Sequence, residues 1–386
     1  MKIENFSPTY FLSALGAGGL AVSFYIYILF MVSHPSTPLA TFEFIMPALM
    51  AGNWLSFVVA FCLIMIIGFS FLHFKLLILN TKAFNAYKNS DLYFKLKNSN
   101  SEVSLMAIPL TFAMTINVCF VLGAALVPGL WDIVEYLFPF ALIGFGLTGY
   151  YALKIFAHYF ARIITDGSFD FAGNNNLGQM ISIFAFSMVG VGFAAPGAMS
   201  HYSHINAIGI FFAIFFITVA VLLIFIKLTI GLKSIFRSGI NKEASPTLWI
   251  MIPILTLIGI TLIRIQFGLT HHFQDQMDKI DLFILTSGIF SLQIIFGLLG
   301  FLVMKKIGYF EEFIHSSTKS ATSFALICPG VAFMVFGMFF INYGLVFSGI
   351  IDKFSFFYFI LMLPFIYVQL KTVQYFIKLN NKFFRQ

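Results

Sequence analysis

An all-α, polytopic membrane protein with ten transmembrane helices is the fold class this chain predicts, and three observations predict it. Of its 386 residues, 60% are hydrophobic and only 10% charged, with a mean hydropathy of +0.95. A water-soluble globule of that composition lacks the polar side chains to cover its surface. Ten apolar runs are each long enough, at roughly 20 residues, to cross a hydrocarbon layer of about 30 Å. Finally, the basic residues collect on one side of the zigzag that these runs define.

The runs lie at about 9–33, 52–74, 104–128, 134–160, 178–200, 204–232, 247–270, 281–304, 320–347 and 354–378, so residues 1–386 form a single transmembrane domain. The first is too long for the apolar core of a removable signal peptide and opens a series of further spans. It carries the small residues Ser13, Ala14, Gly16, Ala17, Gly18, Gly19 and Ala21 and stops at His34-Pro35-Ser36-Thr37-Pro38. The second leads into the longest polar stretch, 80–103, which includes Lys95-Leu96-Lys97-Asn98-Ser99-Asn100. That stretch reads equally as a short amphipathic surface helix and as a solvated loop. The third contains Pro109, the fourth Pro139 near an outer end, and the fifth, after Asn174-Asn175-Asn176, has Pro196 near its outer end. The sixth ends before Asn241-Lys242-Glu243, the seventh contains Pro253, and the eighth is an uninterrupted apolar run. The ninth has Pro329 and the glycines Gly330, Gly337 and Gly344, and the tenth has Pro364. Proline inside a membrane helix removes a hydrogen bond and kinks it, while glycine stripes allow close helix packing.

Nineteen of the 22 lysines and arginines lie on one side: Lys2, Lys75, Lys82, Lys88, Lys95, Lys97, Lys154, Arg162, Lys227, Lys233, Arg237, Lys242, Lys305, Lys306, Lys319, Lys371, Lys378, Lys382 and Arg385. The opposite side holds Lys279 and Lys353, and Arg264 lies within a segment. Positive residues stay cytoplasmic, so both termini are expected there, with the chain in the inner cell membrane. The net charge of +7 is then a topological signal and no indication of a nucleic-acid partner. Cys62, Cys119 and Cys328 all fall in membrane segments, which implies no extracellular disulfide framework.

The Phe6-Ser7-Pro8 start of a first helix with Leu15-Gly16-Ala17-Gly18-Gly19-Leu20-Ala21, ten spans, cytoplasmic termini and prolines in odd-numbered helices resemble the slow-type anion channel and tellurite-resistance/dicarboxylate transporter family. The resemblance implies five helical hairpins around a central pore lined by the odd-numbered helices, homo-trimers, and anion movement as the function. It also implies a phenylalanine of the ninth helix occluding the pore. Here that stretch reads Ser323-Phe324-Ala325-Leu326-Ile327-Cys328-Pro329-Gly330, so Cys328 takes the phenylalanine's place and Phe324 lies one turn earlier. A smaller, TsoY-type branch, in which this position holds cysteine or selenocysteine, is also resembled.

Independently of that resemblance, Cys328 lies about nine residues above Lys319, roughly 14 Å deep. Pro329 interrupts the backbone there and Gly330 removes bulk. Transporters place binding sites at such interruptions, although a buried cysteine also serves as a small hydrophobe. Arg264 is the one ionised side chain well inside a segment, about six residues below His271, with Gln266 nearby. It either draws anions into an outer vestibule or snorkels outwards and pairs with Asp132 or Glu135. Asn117, Thr111, Thr115, Ser182 and Ser187 offer neutral donors suited to passing anions without trapping them, and suit helix packing equally well.

Two histidine groups, His201 and His204 with His271-His272, and His73, His158 and His315, lack the spacing of a metal or haem site, so neither metal nor cofactor is expected. No phosphate-binding loop, dinucleotide fingerprint or serine elbow occurs, which argues against ATP-driven transport by this chain. Few membrane-embedded acids remain for a proton relay. Taken with the resemblance, these features lead to the expectation of a channel or facilitator for a small inorganic or sulfur- or selenium-containing anion. The pore residues expected are Cys328, Phe324, Pro329, Gly330, Arg264 and Asn117; the partners are that anion and the bilayer. The alternative is a membrane redox or sulfur-handling protein with a reactive Cys328, which would need a cation at that depth to ionise the thiol.

Overall fold

The computed structural model describes residues 6–171, 173–273 and 279–384, with the side chains of 271–273 outside the description. Lys2, Arg385 and the side chains of His271 and His272 therefore lie outside the described residues. Among the described residues there are ten helices long and apolar enough to span a membrane and no strand. They are α1 (Pro8–Met31), α2 (Trp54–Tyr87), α3 (Asn100–Leu126), α4 (Trp131–Asp166), α5 (Gly178–Met199), α6 (Ser203–Ser238), α7 (Ser245–Thr270), α8 (Lys279–Lys306), α9 (Ala321–Val346) and α10 (Phe356–Phe384).

The helices form two concentric layers. In α1, α3, α5, α7 and α9, 61–94% of the most apolar stretch is buried inside the protein, against 22–39% in the even-numbered helices. The five odd helices touch in sequence order and α9 closes back onto α1, giving an inner ring. Each even helix lies outside, against two neighbours of that ring: α2 on α1 and α3, α4 on α3 and α5, α6 on α5 and α7, α8 on α7 and α9, α10 on α9 and α1. Large apolar side chains such as Phe57, Phe71, Phe140, Leu147, Phe211, Leu222, Leu302 and Leu363 of the outer layer are exposed, as contact with lipid tails requires.

The even helices outrun the apolar runs that announced them. α2 continues past residue 74 to Tyr87, α4 to Asp166, α6 to Ser238 and α10 to Phe384, because a helix keeps its backbone hydrogen bonds after leaving the hydrocarbon. The polar stretch after α2 contains a short exposed helix, Asp91–Lys97, in keeping with the surface-helix alternative. The start of α1 and the end of α10 meet on one face, where Tyr10 packs on Phe383 and Phe384, and this is called the terminal face below.

On that face every inner helix begins with a 3₁₀ turn: Pro8–Tyr10, Asn100–Met106, Gly178–Met180, Ser245–Trp249 and Ala321–Leu326. In three of them a serine, Ser7, Ser99 or Ser320, caps the turn through its hydroxyl, as expected of a residue that supplies an oxygen to orphan amides. Neighbouring turns are tied together: Gln179 Nε2 donates to the Asn100 carbonyl at 2.9 Å, and the Leu177 amide to Thr247 Oγ1 at 3.0 Å. Buried Glu102 anchors the start of α3 through ion pairs with Lys97 at 2.6 Å and Arg162 at 3.0 Å.

This arrangement corrects the reading of the prolines. Pro109, Pro253 and Pro329 are each the third residue of the α-helical part that follows the 3₁₀ turn. The first four amides of an α-helix have no intrahelical acceptor, so proline costs little there and marks the change of helix type in place of a mid-helix kink.

Candidate functional site

Each inner helix therefore starts as a tight 3₁₀ turn and widens into an α-helix, and above the turns the ring encloses a central cavity of about 960 Å³. All five odd helices line it: Leu15, Gly19 and Ile26 of α1; Met114, Asn117 and Phe120 of α3; Phe184, Met188 and Val191 of α5; Pro253, Thr256 and Arg264 of α7; Cys328, Val335 and Tyr343 of α9. It reaches the loops opposite the terminal face, where Pro35, Leu39 and Trp131 contribute. No residue of the five 3₁₀ turns lines it, so it stops at Leu15, Phe184, Pro253 and Cys328. It has the form of a deep vestibule open towards one face and floored on the other.

The walls are mainly aliphatic and aromatic, and among the described residues they contain no Asp or Glu and one charged side chain, Arg264. Arg264 is six residues from the end of α7, roughly 9 Å along the axis. Its Nη1 donates to the Val191 carbonyl across the α5–α7 contact at 2.8 Å. No carboxylate among the described residues lies within 4.0 Å of it. Asp132 is exposed, and Glu135 is occupied in accepting from Ser200 Oγ and the His201 amide, both at 2.7 Å. Arg264 is thus a cationic group at the cavity wall whose remaining N–H donors meet no carboxylate among the described residues.

Asn117 joins Arg264 on the cavity, its Nδ2 only 3.5 Å from the Met188 sulfur, a weak acceptor. Cys328 also borders it, at the start of the α-helical part of α9. The other three expected residues stand elsewhere. Phe324 is fully buried beside the Phe383 and Phe384 rings of α10 and does not line the cavity. It sits in the 3₁₀ turn, whose tighter winding aims it at the end of α10. Pro329 and Gly330 are not cavity residues either. The face of Gly330 abuts α10, where an added Cβ would collide with the Thr372 hydroxyl, so this glycine makes room for a helix and not for the thiol. Gln266 is likewise absent from the lining.

Among the neutral donors, Thr111 donates to the Ala107 and Phe11 carbonyls, Thr115 donates to the Thr111 carbonyl and contacts His73 Nε2 at 2.9 Å, and Ser182 donates to the Gln179 carbonyl. These are packing bonds. His73 is fully buried in the middle of α2, its Nδ1 against the Ala14 carbonyl at 2.8 Å, whereas His158 is exposed and His315 contacts Lys378. Among the described residues no three metal-binding side chains gather.

Two groups escaped the sequence reading. Phe184 supplies the aromatic part of the floor from α5, and nothing in the sequence sets it apart from 52 other phenylalanines. Lys227, counted with the loop charges, is buried within α6: its Nζ donates to the Gln179 carbonyl at 3.0 Å and to Ser182 Oγ at 2.8 Å, and lies over the Phe156 and Tyr159 rings. Its position inside an apolar run was the available signal. Comparison with known protein families, with curated proteins and with solved structures finds no match for this chain.

Proposed function

We propose that this membrane protein is an anion channel or facilitator of the inner cell membrane, with cytoplasmic termini, for a small inorganic or sulfur- or selenium-containing anion. The observation that carries the reading is Arg264: an arginine that, among the described residues, has no carboxylate within 4.0 Å, on the wall of a 960 Å³ cavity that has no acidic lining residue among those described. A lone cation in an apolar, low-dielectric vestibule favours an anion over a cation, and intramembrane ionisable groups mark substrate paths. The ring of five odd helices agrees with the pore arrangement that the resemblance implies, and the floor at Leu15, Phe184, Pro253 and Cys328 would be the closed gate. The trimer belongs to this proposal through the resemblance alone.

A second reading has one observation in its favour: Cys328 is the one cysteine that borders the cavity. Among the described residues, no cationic side chain of the lining other than Arg264, near the opposite end, stands by to stabilise a thiolate. Flux of chloride, nitrate, sulfate and thiosulfate into liposomes containing the purified protein separates the two. Selective flux that Arg264→Gln lowers and Cys328→Ser preserves supports the channel; absence of flux from folded protein with every anion refutes it and leaves thiol chemistry.

A further inference from the structure

Lys279 and Lys353 are the two basic residues that sequence analysis placed opposite the charge-rich side. The fold brings both to one spot, the mouth of the cavity beside the end of α9. There a second pocket of about 240 Å³ is lined by Leu29, Phe30, His34, Asn342, Tyr343, Val346, Phe347 and Lys353. Leu29, Tyr343 and Phe347 wall the central cavity as well, so the two spaces adjoin. Lys279 Nζ lies 5.4 Å from the centre of the shared Phe347 ring.

Two departures from regular backbone shape this pocket. The end of α9, Phe340–Val346, is wound as a π-helix, a form that is rare and frequent at functional sites. It presents Asn342, Tyr343 and Val346 to the pocket together. Phe354 is the one non-glycine among the described residues with a positive φ, 62°, a conformation that strains a residue with a Cβ. Its ring lies beneath the Lys353 ammonium at 5.1 Å and packs on Trp54, which holds that lysine's backbone in place.

The donors suit an oxyanion. His34 Nδ1 is 2.8 Å from the Val32 carbonyl, which assigns it the proton and leaves Nε2 as the site that gains one on acidification. Asn342 gives one amide N–H to the Met338 carbonyl and accepts from Tyr358, keeping its second N–H. With Lys353, these offer one positive charge and an amide, and a second positive charge once His34 is protonated. We propose that this pocket is an anion-binding site that captures a small divalent oxyanion at the mouth and hands it past Tyr343 to Arg264, a role that rests on the channel reading.

Burial first, and the Lys353 charge after it, hold His34 below its ordinary value; burial likewise lowers Lys353. Among the described residues, the other charged groups on the elements around the pocket are Asp352 beside Lys353, Lys279 and Asp281 at the start of α8, and Arg264 beyond Tyr343. Glu43, on the short helix Phe42–Met50 that follows the His34 loop, turns away to accept from the Gly129 amide. A bound dianion favours the imidazolium, so binding takes up a proton and strengthens as pH falls.

The test is the rise in thermal unfolding temperature of the detergent-purified protein with sulfate or chloride at pH 6 and pH 8, for the native chain and for Lys353→Gln, His34→Gln and Arg264→Gln. Sulfate should stabilise at lower concentration than chloride, by about 3- to 10-fold more at pH 6 than at pH 8, within the tenfold per pH unit that one linked proton permits. Lys353→Gln should abolish that preference, His34→Gln should remove its pH dependence, and Arg264→Gln should retain it. Unchanged sulfate stabilisation in both Lys353→Gln and His34→Gln overturns the site, as does its loss in Arg264→Gln alone. Sulfate binding with this pattern but without liposome flux would instead refute the channel and leave the pocket standing.

Discussion

Lys227 offers a quantitative test of what a buried charge does here. Its ammonium is desolvated in the α4–α5–α6 contact and has no carboxylate among the described residues within 4.0 Å. It is held by two hydrogen bonds, at 3.0 Å to Gln179 and 2.8 Å to Ser182, and by two ring faces, at 5.2 Å to Phe156 and 5.8 Å to Tyr159. Bonds to a charged donor contribute about 1.5–3 kcal/mol each, and each ring about 0.5–2 kcal/mol. Against these stands a desolvation penalty of several kcal/mol for the ion, so the two sides nearly cancel. Lys227→Met keeps the shape of the side chain and removes the penalty, and Ser182 Oγ still donates to the Gln179 carbonyl at 3.2 Å, so neither group is orphaned. Its unfolding free energy, followed by circular dichroism during denaturation in mixed micelles, should stay within about 1–2 kcal/mol of native. Lys227→Ala leaves a cavity and should lose about 2–4 kcal/mol. A methionine variant that loses as much as the alanine variant would refute the argument, because it would mean that the positive charge is itself required.

Gly330→Ala should destabilise the protein by about 1–3 kcal/mol through the clash with Thr372, and Thr372→Ala in the same chain should restore most of that loss, measured as a double-mutant cycle in the same micelles. Phe324→Ala should cost about 3–5 kcal/mol of stability while leaving anion selectivity in liposomes unchanged, since its ring is buried against α10. Phe184→Ala, at the cavity floor, should raise anion flux under the channel reading, and flux below native from a folded variant would remove Phe184 from the gate. Folded His34 titrates below its ordinary value, so unfolding takes up a proton between the two values. Stability should therefore decline as pH falls through about 6.5, and His34→Gln should flatten that decline in thermal unfolding without added anion.

The all-α fold and its ten helices of membrane-spanning length were legible in the chain because lipid imposes a strong and local rule: about 20 apolar residues for each helix, with its backbone bonds satisfied internally. Arg264 and Asn117 were also legible, since a polar group inside an apolar run stands out whatever surrounds it. Tertiary structure decided which face each helix turns inward. Phe324 and Cys328 are four residues apart, yet the change from 3₁₀ to α winding between them sends one to α10 and the other to the cavity. The same holds for Lys227, buried where its charge pattern implied a loop, and for Lys353, a loop residue that only folding brings beside His34, more than 300 positions away in sequence. Hydropathy is a sum along the chain and carries no rotation about a helix axis and no distance between remote segments; packing of one helix against the next supplies both.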